Sequence, residues 1–384
     1  MSTVLLIDSG GLSHYTAYLA FGLSKYRDII LCGYSNELYN LTGAAEIGRI
    51  KFYNMEEKLP KGTSLISSAL RPWLLFFPLL KVITTKKYDI VHIQGHSYLF
   101  FLFVPLLKLQ RKPIYWTIHD VDFRSTNSGL RGKLEKLQVE LLCQNKMLSE
   151  QVNFIIVHGT NLKNKLISKG IPRDKIHVIP HLDYGYLLSL NSGNNVGNSD
   201  GYVLLFGKIK PYKGLDVLIK AARIVRKKLG NKFNVVIAGK GKLSYFDTLL
   251  STEDLEYICI HNRFIPEIEI PRLFKEAKFL VLPYTDASQS GVVSLAYTFS
   301  KPVIVSNVGS IPEYVDHGVT GFMFESGDVD QLAKYMVKLL EDSNLCQEFG
   351  KNAHQKMLNE MSLERCSIII NQLYTQHDDD QLKR

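Results

Sequence analysis

Between Phe279 and Phe324 the chain alternates apolar runs with polar, glycine-containing breaks at a spacing that belongs to a parallel α/β layer. Phe279 to Leu282 is a short apolar run that breaks into a polar loop. Gly291 opens a segment of helical spacing, and Pro302 to Ser306 is a second apolar run leading to a Gly-Ser turn and Pro312-Glu313. The order is strand, loop, helix, strand. A helix starting near Gly291 turns its free N–H groups and the positive end of its dipole toward the loop, as diphosphate binding requires. Glycine at that point lets an anion come close to the backbone. Taken alone, the segment also reads as an ordinary buried βαβ unit.

A second stretch adds weight to the ligand-binding reading. Tyr202 to Phe206 reads as a strand, followed by Gly207-Lys208-Ile209-Lys210-Pro211-Tyr212-Lys213-Gly214 and an amphipathic helix from Leu215 to about Leu229. A glycine turn that carries cations between a strand and a helix holds phosphate oxygens by charge and by backbone donors. Lys208 and Lys213 are the cations this turn offers to phosphate oxygens. Lys210 reads equally well as a solvated side chain.

The same alternation runs through the whole chain. In the first half, strands are expected at Val4 to Asp8, Ile29 to Cys32, Ile90 to Gln94, Ile114 to Ile118, Phe154 to Val157 and His177 to Ile179. Helices are expected at Ser13 to about Lys25, from Tyr98, over Arg131 to Glu150 and over Thr160 to Lys169. Residues 183–200, with the run Asn191 to Asp200, are polar, rich in Gly and Asn and without hydrophobic period, and read as a linker. The second half restarts with strands at Tyr202 to Phe206, Phe233 to Ala238, Tyr257 to Ile260, Phe279 to Leu282 and Pro302 to Ser306, and helices from Val329 onward. The fold class is therefore α/β, with two doubly wound parallel-sheet, Rossmann-like domains facing across a cleft. The expected divisions are a first domain at 1–182, the linker at 183–200, a second domain at 201–365, and a helix and charged, frayed tail at 366–384.

Composition narrows the setting. A chain of 384 residues that is 46% hydrophobic and 22% charged has the make-up of a folded protein and the length for two cores. Its five cysteines are odd in number and include no close pair, which fits a reducing compartment and no metal site. The first residues run straight into a strand without a leader-like segment, so the expected place is the cytoplasm. The longest apolar run, Tyr98 to Leu107, contains Pro105 and falls short of the ~20 residues a bilayer span requires. The net charge of +9 is uneven: residues 1–182 carry +10 (23 basic, 13 acidic) and the rest −1 (23 basic, 24 acidic). Such a basic half is expected to face an anionic membrane surface or a nucleic acid.

The two motifs lie about eighty residues apart. Together they resemble the donor-binding elements of glycosyltransferase family 4, with Lys208 where that family usually has Arg. The resemblance spans residues 1–375 and implies the two-domain GT-B architecture, with the final helix crossing back to the first domain. It also implies a metal-independent, retaining enzyme, a hexosyltransferase that moves a sugar from a nucleoside diphosphate sugar to a hydroxyl of a lipid-linked or polysaccharide acceptor. No cofactor is expected besides the nucleotide-sugar substrate. With that acceptor, the basic first half points to a peripheral position on the inner membrane face and not to nucleic acid.

Site residues follow from strand ends and from the resemblance. Gly10-Gly11, after the first strand, permit a tight turn near the donor diphosphate, and Gly239 and the Arg263-Phe264 pair line the donor side. Ser290, Gly291 and Val292 offer helix-start amides to the diphosphate. His119 follows the strand Ile114 to Ile118, where it can donate a hydrogen bond to a sugar hydroxyl and support a developing oxocarbenium ion; Asp120 and His96 are expected to touch the acceptor. His92, His158 and His181 read as structural. The sequence departs from the family at the paired glutamates: Ala287 and Leu295 stand where the donor sugar and the ribose are usually held. That departure keeps open a catalytically inactive nucleotide-sugar-binding subunit, and the shared architecture keeps open a nucleotide-sugar epimerase.

Overall fold

The computed structural model describes residues 2–8, 13–33, 46–55, 71–95, 100–119, 151–190, 201–242 and 249–382. The helix expected over 131–150 lies outside them. The chain forms two compact units: Met1–Pro180 together with Leu363–Arg384, and His181–Ser362.

The first unit is built on an eight-stranded sheet in the order β3-β4-β2-β1-β5-β6-β7-β8. Its strands are β1 (Thr3–Asp8), β2 (Asp28–Gly33), β3 (Glu46–Ile47), β4 (Ile50–Asn54), β5 (Ile90–Gln94), β6 (Ile114–Ile118), β7 (Phe154–Val157) and β8 (Ile176–Val178). All pairings are parallel except the short β3–β4 hairpin at one edge. The continuous apolar runs of β1, β5 and β6 fit strands covered on both faces, and every residue of β5 and β6 is buried. Strand order reverses at β1, which pairs β2 on one side and β5 on the other. The carboxyl ends of such neighbours form the crevice where α/β sheets take ligands.

Around this sheet pack α1 (Ser13–Leu23), α2 (Arg71–Thr85), α3 (Phe100–Leu109) and α4 (Thr160–Ser168). Helix α2 has Pro78 inside it, and α3 likewise contains Pro105. A helical proline gives up a backbone bond, and both helices offset that by burying Leu79, Val82 and Ile83, and Phe103, Val104 and Leu107.

The last helix, here named for its range Leu363–Leu382, belongs to this first unit although the second unit precedes it in sequence. It continues as helix through Leu382, where the charge pattern suggested a frayed tail from 376 onward. Arg27 fastens it. Its Nε donates to Asn371 Oδ1 at 2.7 Å, one Nη to Thr375 Oγ1 at 2.8 Å, and the other Nη to Ser2 Oγ. Buried Tyr374 meets His92 Nδ1, and the Tyr115 hydroxyl donates to the Leu373 carbonyl at 2.9 Å. Gly22 allows the close approach: a Cβ there would run into Ser367 and Leu363.

The second unit carries a six-stranded, all-parallel sheet in the order β11-β10-β9-β12-β13-β14. The strands are β9 (Tyr202–Phe206), β10 (Val235–Ala238), β11 (Ile258–His261), β12 (Ala277–Leu282), β13 (Val303–Ser306) and β14 (Gly321–Phe324). Its helices are α5 (Leu215–Leu229), α6 (Ile270–Glu276), α7 (Gly291–Thr298), α8 (Val329–Glu341) and α9 (Ser343–Lys356). In α5 the buried positions Leu215, Leu218, Ala222 and Val225 make one stripe, and Arg226, Lys227 and Lys228 in the last turn complement the dipole. Asp328 caps α8 by accepting from the Gln331 amide at 2.9 Å. The reversal of strand order falls between β9 and β12, so the segments that follow Phe206 and Leu282 emerge side by side.

Candidate active site

That adjacency brings together the two motifs which are far apart in sequence. Gly207 leaves β9 with φ +104, a conformation that favours glycine, and its amide donates to Ala238 O at 2.9 Å. A Cβ placed on Gly207 would lie 3.8 Å from Lys213 Nζ and 3.9 Å from Val292 Cγ2. The glycine turn, the cation and the start of α7 therefore converge on one point.

Lys213 does not stand open to solvent. It is 8% exposed; its Nζ donates to the Tyr284 hydroxyl and lies 4.0 Å from the centre of the same ring. Burial pushes the Tyr284 phenol well above its usual range, so the ring stays neutral while the Ser290 side chain, hydrogen-bonded to it, opposes the rise. Gly214 keeps the turn tight. It has φ +65, and a Cβ would collide with the Pro283 carbonyl. Lys208, by contrast, is exposed.

Ser290 caps α7: its Oγ accepts from the Val292 amide at 3.3 Å. Val292 is therefore engaged within the cap, and its side chain rather than its N–H is what approaches Gly207. Gly291 is hemmed in by residues that nothing in their own sequence neighbourhood singled out. A Cβ there would meet the Tyr184 hydroxyl at 2.7 Å and the His181 ring at 3.1 Å. The two rings stack with centroids 5.8 Å apart, and Ser294 Oγ donates to the His181 carbonyl at 3.4 Å.

Beside this point Gly239 packs against Gly207 so closely that a Cβ would overlap the Gly207 carbonyl. Past β11 the Arg263 amide turns back to His261 O at 2.9 Å, and its guanidinium pairs with the Glu269 carboxylate. Phe264 is 75% exposed. Ala287 and Leu295, which replace the expected glutamates, are 2% and 4% exposed and join the apolar cluster around Val293 and Ile311. The loop bearing Ala287 is pinned by Gly309, at φ +58 against the Ala287 carbonyl, and by Ser310, whose amide donates to Ser288 O at 3.0 Å.

In the first unit His119 sits directly past β6 and is buried. Its Nδ1 lies 2.9 Å from His158 Nε2, and His158 Nδ1 lies 2.9 Å from Ile179 O. Tyr15 on α1 meets both rings edge-on, at 4.9 and 5.6 Å between centroids. His92 is buried on β5 between Tyr374 and Thr117. Gly10, Gly11, His96 and Asp120 lie outside the described residues.

Two family profiles match the chain: the one described as Glycosyl transferases group 1 over residues 191–356, and the one described as Glycosyltransferase Family 4 over residues 9–181. An uncharacterised glycosyltransferase of Methanocaldococcus jannaschii, MJ1607, is 24% identical over 376 residues, 92% of this chain and 91% of that one. The amylovoran biosynthesis glycosyltransferase AmsK of Erwinia amylovora is 29% identical over 184 residues, 46% of this chain and 45% of its own. Among solved structures, a sucrose-phosphate synthase from Thermosynechococcus elongatus superposes with a TM-score of 0.75 at 15% identity, covering 99% of this chain and 100% of that one. The Anabaena protein HepE, solved with UDP and glucose, gives 0.69 at 16% identity, covering 98% and 100%.

Proposed function

Because this chain belongs to the glycosyltransferases of group 1 and family 4, and has their GT-B architecture, we propose that it transfers a sugar from a nucleoside diphosphate sugar to a hydroxyl of a lipid-linked or polysaccharide acceptor, with retention. The observation that carries this reading is the convergence of Gly207, Lys213 and Val292 beside the start of α7. The positive end of the helix, the buried ammonium and a glycine turn without side chains make one place fit for a diphosphate. Fixed positive charge there stabilises the departing diphosphate more than the intact donor, and no metal ion is required for that role. Lys208 adds a second, mobile cation. Gly239 and the Arg263-Phe264 turn, with its exposed ring, are the proposed wall for the nucleoside.

The first unit is proposed to hold the acceptor, with His119 toward a substrate hydroxyl. Among the described residues no helix is long and apolar enough to cross a membrane. A peripheral seat on an anionic inner membrane face is proposed from the charge of this unit and from Phe77 on α2, which is 71% exposed beside exposed Lys81. Phe76 does not belong to that seat: it stacks on Phe103 in the core at 4.8 Å.

A second reading has its own observation. Ala287 and Leu295 are apolar and buried, so neither offers a carboxylate to sugar or ribose, as a nucleotide-sugar-binding subunit without turnover would show. One screen separates the two. Thermal unfolding with UDP, GDP and their sugars identifies the nucleotide, since a ligand at a hundred times its Kd adds about 2.7 kcal/mol. Acceptor-dependent transfer of the sugar from the stabilising donor to acceptor lipids, with release of the nucleoside diphosphate, then supports the transferase; stabilisation with no turnover across the panel overturns it.

A further inference from the structure

We propose that His158 is a positioning residue that fixes the tautomer of His119, so that His119 Nε2 meets a substrate hydroxyl as a hydrogen-bond acceptor. The inference rests on the reading above that His119 faces substrate.

The geometry begins in the sheet. Ile118 of β6 pairs with Val157 of β7, and Val157 pairs with Val178 of β8. His119, His158 and Ile179 are therefore the residues directly beyond three laterally paired positions, and they form a row across the carboxyl ends of neighbouring strands. Polarity runs along that row from a fixed origin. The Ile179 carbonyl can only accept, so His158 Nδ1 carries the hydrogen of their 2.9 Å contact. Burial lowers the His158 pKa to about 4, so near neutral pH the ring holds this one proton and its Nε2 is a lone pair. That lone pair faces His119 Nδ1 at 2.9 Å. Two lone pairs cannot bond, so His119 Nδ1 carries a hydrogen and donates it. A neutral His119 then has its lone pair on Nε2.

This direction reverses the one the sequence suggested, in which His119 donates to a sugar hydroxyl. Nε2 can gain a proton while Nδ1–H keeps donating to His158, so no partner needs to turn. The edges of Tyr15 against both rings hold them in place.

The test uses full-length protein with ¹⁵N-labelled histidine and long-range ¹H–¹⁵N correlation, without substrate, the His119 signals being identified by their loss in H119Q. In the wild type His119 Nε2 is expected at the shift of an unprotonated ring nitrogen and Nδ1 at that of a protonated one. In H158L this pattern is expected to give way to a mixture of tautomers, with kcat falling by about 10–100-fold and donor KM unchanged. H158Q, whose amide oxygen can accept from Nδ1–H, is expected to restore both the pattern and most of kcat. A wild-type spectrum with Nδ1 unprotonated overturns the proposal, and so does an unchanged tautomer in folded H158L. If H158L does not fold, the wild-type spectrum decides alone. Because the spectrum is read without substrate, absence of turnover, which would sink the transferase reading, leaves it untouched.

Discussion

Tyr284 holds the Lys213 ammonium in two ways: its hydroxyl accepts a hydrogen bond from Nζ, and its ring centre lies 4.0 Å away. A ring face and a neutral hydroxyl hold an ammonium without contributing an opposing charge of their own. The arrangement stores positive charge at the end of β9 in a form that a diphosphate can use.

Replacing Lys213 separates packing from charge. K213M keeps the aliphatic stem against Tyr284 and removes only the ammonium. It is expected to unfold near the wild-type temperature and to lose about 10²–10³ in kcat/KM. Wild-type turnover in K213M would take the leaving diphosphate away from this residue.

At the start of α7, G291V puts a branched side chain where even a Cβ would lie 2.7 Å from the Tyr184 hydroxyl. Nucleotide binding measured by calorimetry should disappear, while A287S, at a position away from that contact, should retain it. Unchanged affinity in G291V would mean that phosphates bind elsewhere.

Two histidines buried without charge make the fold acid-sensitive above the carboxylate range. Burial lowers His92 to about 3 and His158 to about 4, against an ordinary value of 6.5. The unfolded chain therefore binds more protons as the pH falls below 6.5, so stability is full above that value and is lost from about 6.5 down to about 4 for His158 and about 3 for His92. His92 is hydrogen-bonded to Tyr374, Thr117 and Gln94, none of them charged in this window. Denaturant titrations of wild type and H92Q should show a shallower pH slope in the variant. Equal slopes would assign the acid loss to other groups.

Membrane docking is decided by vesicle co-sedimentation. Pelleting with anionic liposomes should exceed that with neutral ones and weaken as salt rises, since screening acts over roughly 8 Å at physiological ionic strength. F77E should reduce it. No preference for anionic vesicles at low salt would rule the seat out.

The sequence revealed most of the sheet cores because their strands are largely buried and rich in apolar residues: β5, β6, β7 and β9 fall where expected. It also located the glycine turn and the start of α7. What it missed depends on three-dimensional neighbours. Lys213 looked like an open cation because its cover, Tyr284, lies seventy-one residues away. The contacts of His158 with His119 and of His181 with Tyr184 were not legible because a lone histidine carries no mark of the ring it touches. Strand β4 and helix α2 escaped notice because a short strand one place in from the sheet edge alternates weakly and Pro78 interrupts the expected helical pattern.

The return of the last helix to the first unit also sets an order on the making of the protein. Residues 181–362 form a contiguous unit that can close as soon as it leaves the ribosome. The first unit, although synthesised earlier, keeps one wall open until Asn371, Tyr374 and Thr375 arrive to meet Arg27 and His92. Its apolar sheet face is thus exposed for the whole time needed to make the second unit, nearly half the chain, at about 5–20 residues per second. A stop codon just before Leu363 removes only the chain's final segment, yet it leaves the oldest part of the molecule unfinished.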